Sequence, residues 1–460
     1  MKKQLTEIAG WLQAEGQHME GVVVSGVSID SRTIKVGDLF IPFRGEQVNG
    51  HKYVEGAIEK GAVASLWMKD EPNPPKDIPL IFVADPAIAL QEMARTYRGM
   101  LTCKVIGITG SNGKTSTKDL VASVLSPYFN VRKTEGNFNN ELGLPLTILS
   151  LNEKTEFAVL EMGMSSFGEI SFLSKLAKPD YVVITNIGEA HMQDLGSREG
   201  IAQAKLEIID GLATNGQLFY DGDEVLLRKL LNQVEHVQSI PFGVGADNTL
   251  SHGTIEFIGN GSRFKTVGLI DAEFMIPVYG SHQVKNTLAA ILIAYESGLS
   301  VKDIQVALKK ASLTDMRMQP VQGAKGELFI NDAYNAAPTS MAAALDFIRE
   351  TKLRSEKWLV LGDMLELGDG EQAYHEELAN QIMPMDLKGV LLYGKCMKWL
   401  YDELQKRGYS EILVWSEDNY TPIIDMLQTS TNNNSVILLK GSRSIALENV
   451  LEGLISKETR

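Results

Sequence analysis

Gly107-Ile-Thr-Gly-Ser-Asn-Gly-Lys-Thr-Ser-Thr117 is the stretch whose reading decides the fold of this 460-residue chain. The apolar run from Lys104 to Thr109 before it reads as a buried strand, and Thr115–Leu125 after it reads as a helix. A strand, a glycine-bearing turn and a helix in that order wrap backbone N–H groups around phosphate oxygens and aim the positive helix end at them. Lys114 adds a point charge, and the Thr115 hydroxyl can ligate Mg²⁺. The usual GxxxxGK[ST] spacing would put its first glycine at Ile108, but glycine stands at 107 and 110. Thr109, Gly110, Ser111, Asn112, Gly113, Lys114, Thr115 and Ser116 therefore form a shorter loop, and ATP is its expected ligand. The loop alone leaves the use of ATP open, because kinases, motors, switches and ligases all carry such turns.

Working outward, residues 1–85 read as a small α/β module: a helix over 3–14, strands at Val22–Ile29, Leu39–Phe43, Ala64–Met68 and Leu80–Val83, and a helix from Tyr53 to Lys60. A helical connector, 86–100, leads to the strand before the loop. Strands Phe157–Leu160 and Tyr181–Thr185, and helices near Ile201–Leu212 and Lys285–Tyr295, continue an alternation to about residue 312 that predicts a mainly parallel sheet covered by helices. From 313 the pattern restarts, with strands at Leu328–Ile330, Trp358–Leu361, Val390–Tyr393, Ile412–Trp415 and Val436–Leu439, helices at Ser340–Glu350 and Glu371–Ile382, and a loop at 429–435. The expectation is an α/β protein of three domains: 1–85, a central P-loop domain 86–312, and a doubly wound, Rossmann-like domain 313–460.

The net charge of −14 argues against broad binding to nucleic acid or anionic membranes, both of which recruit clustered Lys and Arg. Cys103 and Cys396 lie far apart with no CxxC or Cys/His cluster, so neither a disulfide framework nor a zinc site is expected, and a reducing cytoplasm fits. The N-terminus reads as an amphipathic helix rather than a signal core, and no apolar run approaches the ~18 residues of a membrane span.

A magnesium nucleotide needs further ligands. The strand ending at Glu161 delivers a carboxylate, and Ile184-Thr-Asn-Ile-Gly-Glu-Ala-His191 brings Asn186 and His191 to the same expected sheet edge. Lys205, in a predicted helix, reads by itself as a solvated surface residue.

Thr109-Gly-Ser-Asn-Gly-Lys-Thr115, Gly136-Asn-Phe-Asn-Asn-Glu-Leu-Gly143, Glu161-Met-Gly163, Asn186 with His191, Ala204-Lys205, His282 with Asn286, and Asn331-Asp-Ala-Tyr-Asn-Ala-Ala-Pro338, taken in order, resemble the Mur ligases, which form amide bonds with ATP in bacterial cell-wall synthesis. The resemblance implies a UDP-sugar-binding first domain, a central ATPase domain and a Rossmann-like third domain. Asn331–Met341, Leu361-Gly-Asp-Met-Leu-Glu-Leu-Gly368 and Lys440-Gly-Ser-Arg443 are most similar to the member that adds D-alanyl-D-alanine to UDP-N-acetylmuramoyl-tripeptide. An acyl phosphate intermediate, ATP, and two Mg²⁺ ions come with that likeness, as does a small-molecule enzyme of the cytoplasm acting as a monomer.

By the same resemblance Lys114 holds the β- and γ-phosphates, Thr115 and Glu161 one Mg²⁺, and His191 a second, with Lys205 carbamylated to support it. Asn286 contacts adenine, Arg317 the γ-phosphate, and Asp332 the ribose or an ordering water. Arg317 lies in Asp315-Met-Arg-Met-Gln319, where many relatives have Gly-Arg-x-Glu. Ser31, Arg32 and Gln47 match segments that hold UDP, and Asn140 and Glu169 match contacts to the muramoyl peptide. Tyr334, Asn335, Ser340 and Arg443 are expected around D-alanyl-D-alanine. The alternatives are another Mur-type or folylpolyglutamate-type ligase, or a regulatory P-loop NTPase; the chain has no guanine-selecting Asn-Lys-x-Asp.

Overall fold

The computed structural model describes residues 1–45, 48–189, 192–259 and 261–458. Its contacts divide the chain into two compact units: one of Met1–Thr109, Tyr128–Val182 and Glu207–Gln217, the other of Gly110–Pro127, Val183–Leu206 and Leu218–Arg460.

The first unit opens with a five-stranded sheet in the order Gly16–Gln17, Leu80–Val83, Ala64–Met68, Asp38–Phe40, Gly26–Ser28. Its pairs are parallel except the short antiparallel edge made by Gly16–Gln17. Phe40, Val54, Ala57, Trp67 and Leu80 fill its core. The predicted N-terminal helix is shorter than expected, Leu5–Trp11, because Lys3–Gln4 pairs with Val23–Val24 instead. The connector is the helix Pro86–Met100, started by Asp85, whose side chain accepts the Ala87 N–H at 2.7 Å, with proline at a first-turn position that lacks a hydrogen-bond partner anyway. It leads into Lys104–Thr109, which pairs in parallel with Phe157–Glu161, itself paired in parallel with Val131–Lys133. Glu161 thereby ends a fully buried strand opposite Ile108.

In the second unit the loop helix, Lys114–Leu125, packs on Ser281–Glu296. The expected alternation fails over 250–276. Leu250–Ile258, Gly261–Gly268 and Glu273–Ile276 form an antiparallel ladder, where the sequence reading had expected helices and parallel strands. Alternate residues of Gly261–Gly268 face solvent, as one-sided antiparallel strands do. The helix expected at Ile201–Leu212 is Arg198–Leu206 followed by a 3₁₀ turn, Glu207–Gly211.

The last third holds a six-stranded sheet in the order Gln319–Gln322, Leu328–Asn331, Ser435–Lys440, Glu356–Gly362, Gly389–Tyr393, Ile412–Ser416, parallel except for the first pair. The helices Pro338–Glu350, Glu371–Ile382 and Met397–Lys406 bury apolar residues on one face. Thr421–Ser430 and Glu448–Glu458 cover the other, so the expected loop at 429–435 begins two residues later. The helices after Leu328–Asn331 and Glu356–Gly362 go to one face and the helix after Ser435–Lys440 to the other. The strand order therefore switches direction at these three strands, and Asp332, Asp363 and Gly441 follow their carboxyl ends.

Candidate active site

The phosphate loop is shaped by residues that cannot carry side chains. Gly110 has φ +148°, and a Cβ there would lie 1.9 Å from Thr185 Oγ1. Gly113, at φ +81°, caps the helix, and its missing Cβ would meet Asn286 Oδ1 at 2.7 Å. The turn is held by Asn186, which accepts the Asn112 N–H at 2.9 Å and donates Nδ2 to the Asn112 carbonyl at 3.0 Å. Gly188 N–H donates to Ser111 Oγ at 2.8 Å. Lys114 folds back so that Nζ donates to the Gly110 carbonyl at 2.7 Å, while Asn112 Nδ2 and Thr117 Oγ1 are buried without partners among the described residues. Unsatisfied donors around a backbone cradle suit an anion.

Asn286 stands behind the loop, buried, with Nδ2 3.4 Å from Gln283 Oε1; Gln283 Nε2 in turn donates to Ser116 Oγ at 3.3 Å. Arg317 reaches the start of the loop helix, donating Nη2 to Thr115 Oγ1 at 3.0 Å, and its guanidinium lies 4.2 Å from the centre of the Tyr334 ring. Asp332 accepts Lys440 Nζ at 2.6 Å and the Met318 N–H at 3.0 Å. Lys440 also donates to the Asn335 carbonyl at 3.0 Å.

Lys205 is not on the surface. It is 2% exposed and, among the described residues, makes no hydrogen bond or ion pair. Burial, and next the positive charge of Lys114, hold its ammonium well below the usual lysine range. His282 is half-buried, its Nδ1 enclosed without a partner among the described residues, and desolvation pushes it down to about 4 against the pull of Asp332.

Several expected substrate residues serve local structure. Ser340 Oγ exchanges hydrogen bonds with Ala337 N–H and carbonyl at 3.0 Å, capping its own helix. Asn335 Oδ1 accepts the Ala336 N–H at 2.9 Å, and Arg443 pairs with Glu448.

In the first unit, Asn139 Nδ2 donates to Glu161 Oε1 at 2.9 Å and Thr134 Oγ1 accepts the Glu161 N–H at 3.0 Å, which fixes the carboxylate. Asn139 was missed in the sequence although it sits in the quoted Gly136–Gly143 segment; the neighbouring Asn140 instead makes a turn, accepting Gly143 N–H at 2.9 Å. Glu169 accepts Ser165 N–H at 2.8 Å at the start of a helix. The Thr109 hydroxyl is buried without a partner. Arg32 is exposed and pairs with Asp30 at 2.7 Å, holding that carboxyl down to about 2, and Ser31 adjoins it. Gln47 and His191 lie outside the described residues. Among the described residues no three His, Cys, Asp or Glu side chains gather into a metal site, and Cys103 and Cys396 are buried free thiols.

Three sequence models match in succession: the Mur ligase family catalytic domain over 23–98, the Mur ligase middle domain over 108–294, and the Mur ligase glutamate ligase domain over 316–443. The chain belongs to the Mur ligase family. It is 44% identical over 456 residues to the UDP-N-acetylmuramoyl-tripeptide--D-alanyl-D-alanine ligase of Bacillus subtilis (strain 168), covering 98% of each chain. A crystal structure of MurF from Acinetobacter baumannii matches with a TM-score of 0.88 at 28% identity, covering 99% of both chains. MurF ligase from Thermotoga maritima in complex with ADP matches with a TM-score of 0.83 at 27% identity, over 94% of this chain and 97% of that one. The α/β class expected from the sequence is thus that of a Mur ligase, and the chain is an enzyme of the ligase class. The regulatory-NTPase alternative falls with it. No described helix of this Mur ligase is long and apolar enough to cross a membrane.

Proposed function

We propose that this Mur ligase joins the C-terminal carboxylate of UDP-N-acetylmuramoyl-tripeptide to the amine of D-alanyl-D-alanine, converting ATP to ADP and phosphate and producing the pentapeptide precursor of peptidoglycan. The observation that carries this reading is the end-to-end similarity to a ligase of that specificity, 44% identical over 98% of both chains.

A carboxylate does not condense with an amine at neutral pH, because its oxygen is a very poor leaving group. Its attack on the γ-phosphorus, with cleavage of the bond to the bridging oxygen, gives an acyl phosphate and ADP. The amine then bonds to the acyl carbon, the carbon–oxygen bond to phosphate breaks, and the nitrogen loses a proton. The protein's part is positioning and charge neutralisation.

Lys114 and the loop amides are assigned to the β- and γ-phosphates, and Arg317 to the γ-phosphate. Thr115, Glu161, His191 and Lys205 are assigned to Mg²⁺, which supplies charge stabilisation on the phosphoryl oxygens. A magnesium site built from one or two protein groups plus substrate phosphates fits a chain whose described residues hold no ready-made cluster. Asn286 is assigned to the adenine end and Asp332 to the ribose end. Ser31, Arg32 and Gln47 are assigned to the UDP moiety, Asn140 and Glu169 to the muramoyl peptide, and Asn335, Ser340 and Arg443 to the dipeptide. The three domains keep one task each: 1–85 UDP, 86–312 ATP, 313–460 dipeptide. Action in the cytoplasm as a monomer completes the reading.

Lys205 is assigned as a carbamate. A buried amine beside Lys114, with no counter-ion among the described residues, is held toward its neutral form, which is nucleophilic. Its nitrogen bonds to the carbon of CO₂ and loses a proton, so a cation repelled by Lys114 becomes an anion that would attract it and would help to hold Mg²⁺.

The test is ADP release by the purified chain with a panel of UDP-muramoyl peptides and dipeptides. Release that requires both UDP-N-acetylmuramoyl-tripeptide and D-alanyl-D-alanine is expected; release indifferent to either would sink the proposal.

A further inference from the structure

Arg317 is carried on a segment that backbone energetics disfavours. Met316 and Met318, on either side of it, have φ +62° and +54°, left-handed values that are costly for a residue bearing a side chain. Four ties impose the shape. Met316 N–H donates to Gln319 Oε1 at 3.1 Å, and Gln319 Nε2 to Asp315 Oδ1 at 2.7 Å. Met318 N–H donates to Asp332 Oδ1 at 3.0 Å while the Met318 side chain is fully buried. Tyr334 N–H donates to the Met316 carbonyl at 3.2 Å. Strain held by this many contacts persists where the aim of one side chain matters.

The Tyr334 ring completes the arrangement, with the Arg317 guanidinium 4.2 Å from its centre. Stacking engages the guanidinium face and leaves the N–H edge free in its plane, which is why arginine and not lysine suits such a site. That edge donates to Thr115 Oγ1 at 3.0 Å, at the start of the helix that carries Lys114.

We propose that Tyr334 is a positioning residue for Arg317: its ring face fixes the plane of the guanidinium so that Arg317 meets the terminal phosphate of a bound nucleotide. This moves Tyr334 from the dipeptide, where sequence resemblance had put it, to the nucleotide. The inference rests on the ligase reading only for its kinetic half.

The experiment uses the full chain and the variants Y334L, Y334F, R317A, Y334L/R317A and Y334F/R317A. Calorimetric titration with magnesium and a non-hydrolysable ATP analogue needs neither acceptor nor dipeptide. Y334L and R317A should each weaken the analogue about tenfold, as expected for a contact of 1–2 kcal/mol. Y334L/R317A should be no weaker than R317A, and Y334F should recover most of the loss. In the R317A background, where no cation faces the ring, leucine and phenylalanine at 334 should bind alike, which controls for general damage by Y334L. In turnover, Y334L should lower kcat and leave the KM for D-alanyl-D-alanine unchanged. A raised dipeptide KM with unchanged analogue affinity, additive losses in Y334L/R317A, or equal damage from Y334F and Y334L would each overturn the assignment. Wild-type ADP release that ignored UDP-tripeptide and dipeptide would instead overturn the function proposed above, and the binding cycle would still decide the role of Tyr334.

Discussion

Lys205 shows how far a single residue can depart from its sequence reading. A lysine in a helix reads as solvated, and nothing in the spacing of Ala204-Lys205 says otherwise; only tertiary packing removes the ammonium from water and sets it near Lys114. Replacement by methionine should therefore raise stability, by about 1–3 kcal/mol, because a buried polar group without a partner is lost. Activity should fall about 100-fold, the usual scale for one electrostatic group at a reaction centre. Denaturant unfolding and ADP release on the same preparation check both, and a variant both less stable and fully active would contradict the assignment. Wild-type enzyme depleted of CO₂ should lose activity and regain it with bicarbonate; indifference to bicarbonate would exclude the carbamate. Gly110 makes the opposite case, since its role is legible in the sequence. With φ at +148° and Thr185 Oγ1 1.9 Å from any Cβ, Gly110→Ala should cost ~2 kcal/mol of stability and weaken nucleotide binding at least tenfold, measured by titration.

Elements were most legible where one periodicity governs them. Ala64–Met68, Leu80–Val83 and Glu371–Ile382 fall where alternation or helical spacing put them. The ladder over 250–276 was misread because His252, Gly253 and Thr254 interrupt its first strand, and the register shifts between His252 and Ile255. The helix Ser281–Glu296 was legible as buried, but the state of His282 within it was not. Its folded pKa of about 4 lies below the ordinary 6.5, so the unfolded chain binds the proton more readily. Above pH 6.5 the burial of His282 has no proton-linked cost. As pH falls from 6.5 toward 4 the native state loses stability, to a total of ~3 kcal/mol at about 1.4 kcal/mol per pH unit. His282→Gln should flatten the pH dependence of denaturant midpoints in that window; an equal slope in the variant would assign the loss to other groups.

Across the molecule, the second unit joins the loop helix to the last third of the chain through a contact that no motif announced. Thr314 donates its N–H and its hydroxyl to the fully buried Asp119 Oδ2 at 2.8 and 2.7 Å. Asp119→Ala removes two hydrogen bonds to a charged acceptor and should cost ~2–3 kcal/mol, read from the denaturant midpoint. Saturating Mg·ADP at a hundred times its dissociation constant should add ~2.7 kcal/mol to the stability of the wild-type chain in thermal unfolding, and an unmoved transition would argue against nucleotide binding.

By itself the sequence determined the α/β class, the phosphate loop and the family, because each rests on short-range patterns: strand, glycine turn, helix start and the order of motifs. It also put forward Lys114, Thr115 and Arg317 as candidates for the nucleotide site, and the last two are in contact. Only the tertiary structure decided that Lys205 is buried without a counter-ion among the described residues, that Asp332 pairs with Lys440, and that the Arg317 guanidinium lies over the Tyr334 ring. Burial and long-range pairing depend on which segments the fold packs together, and residues tens to hundreds of positions apart leave no periodic trace of that in the chain.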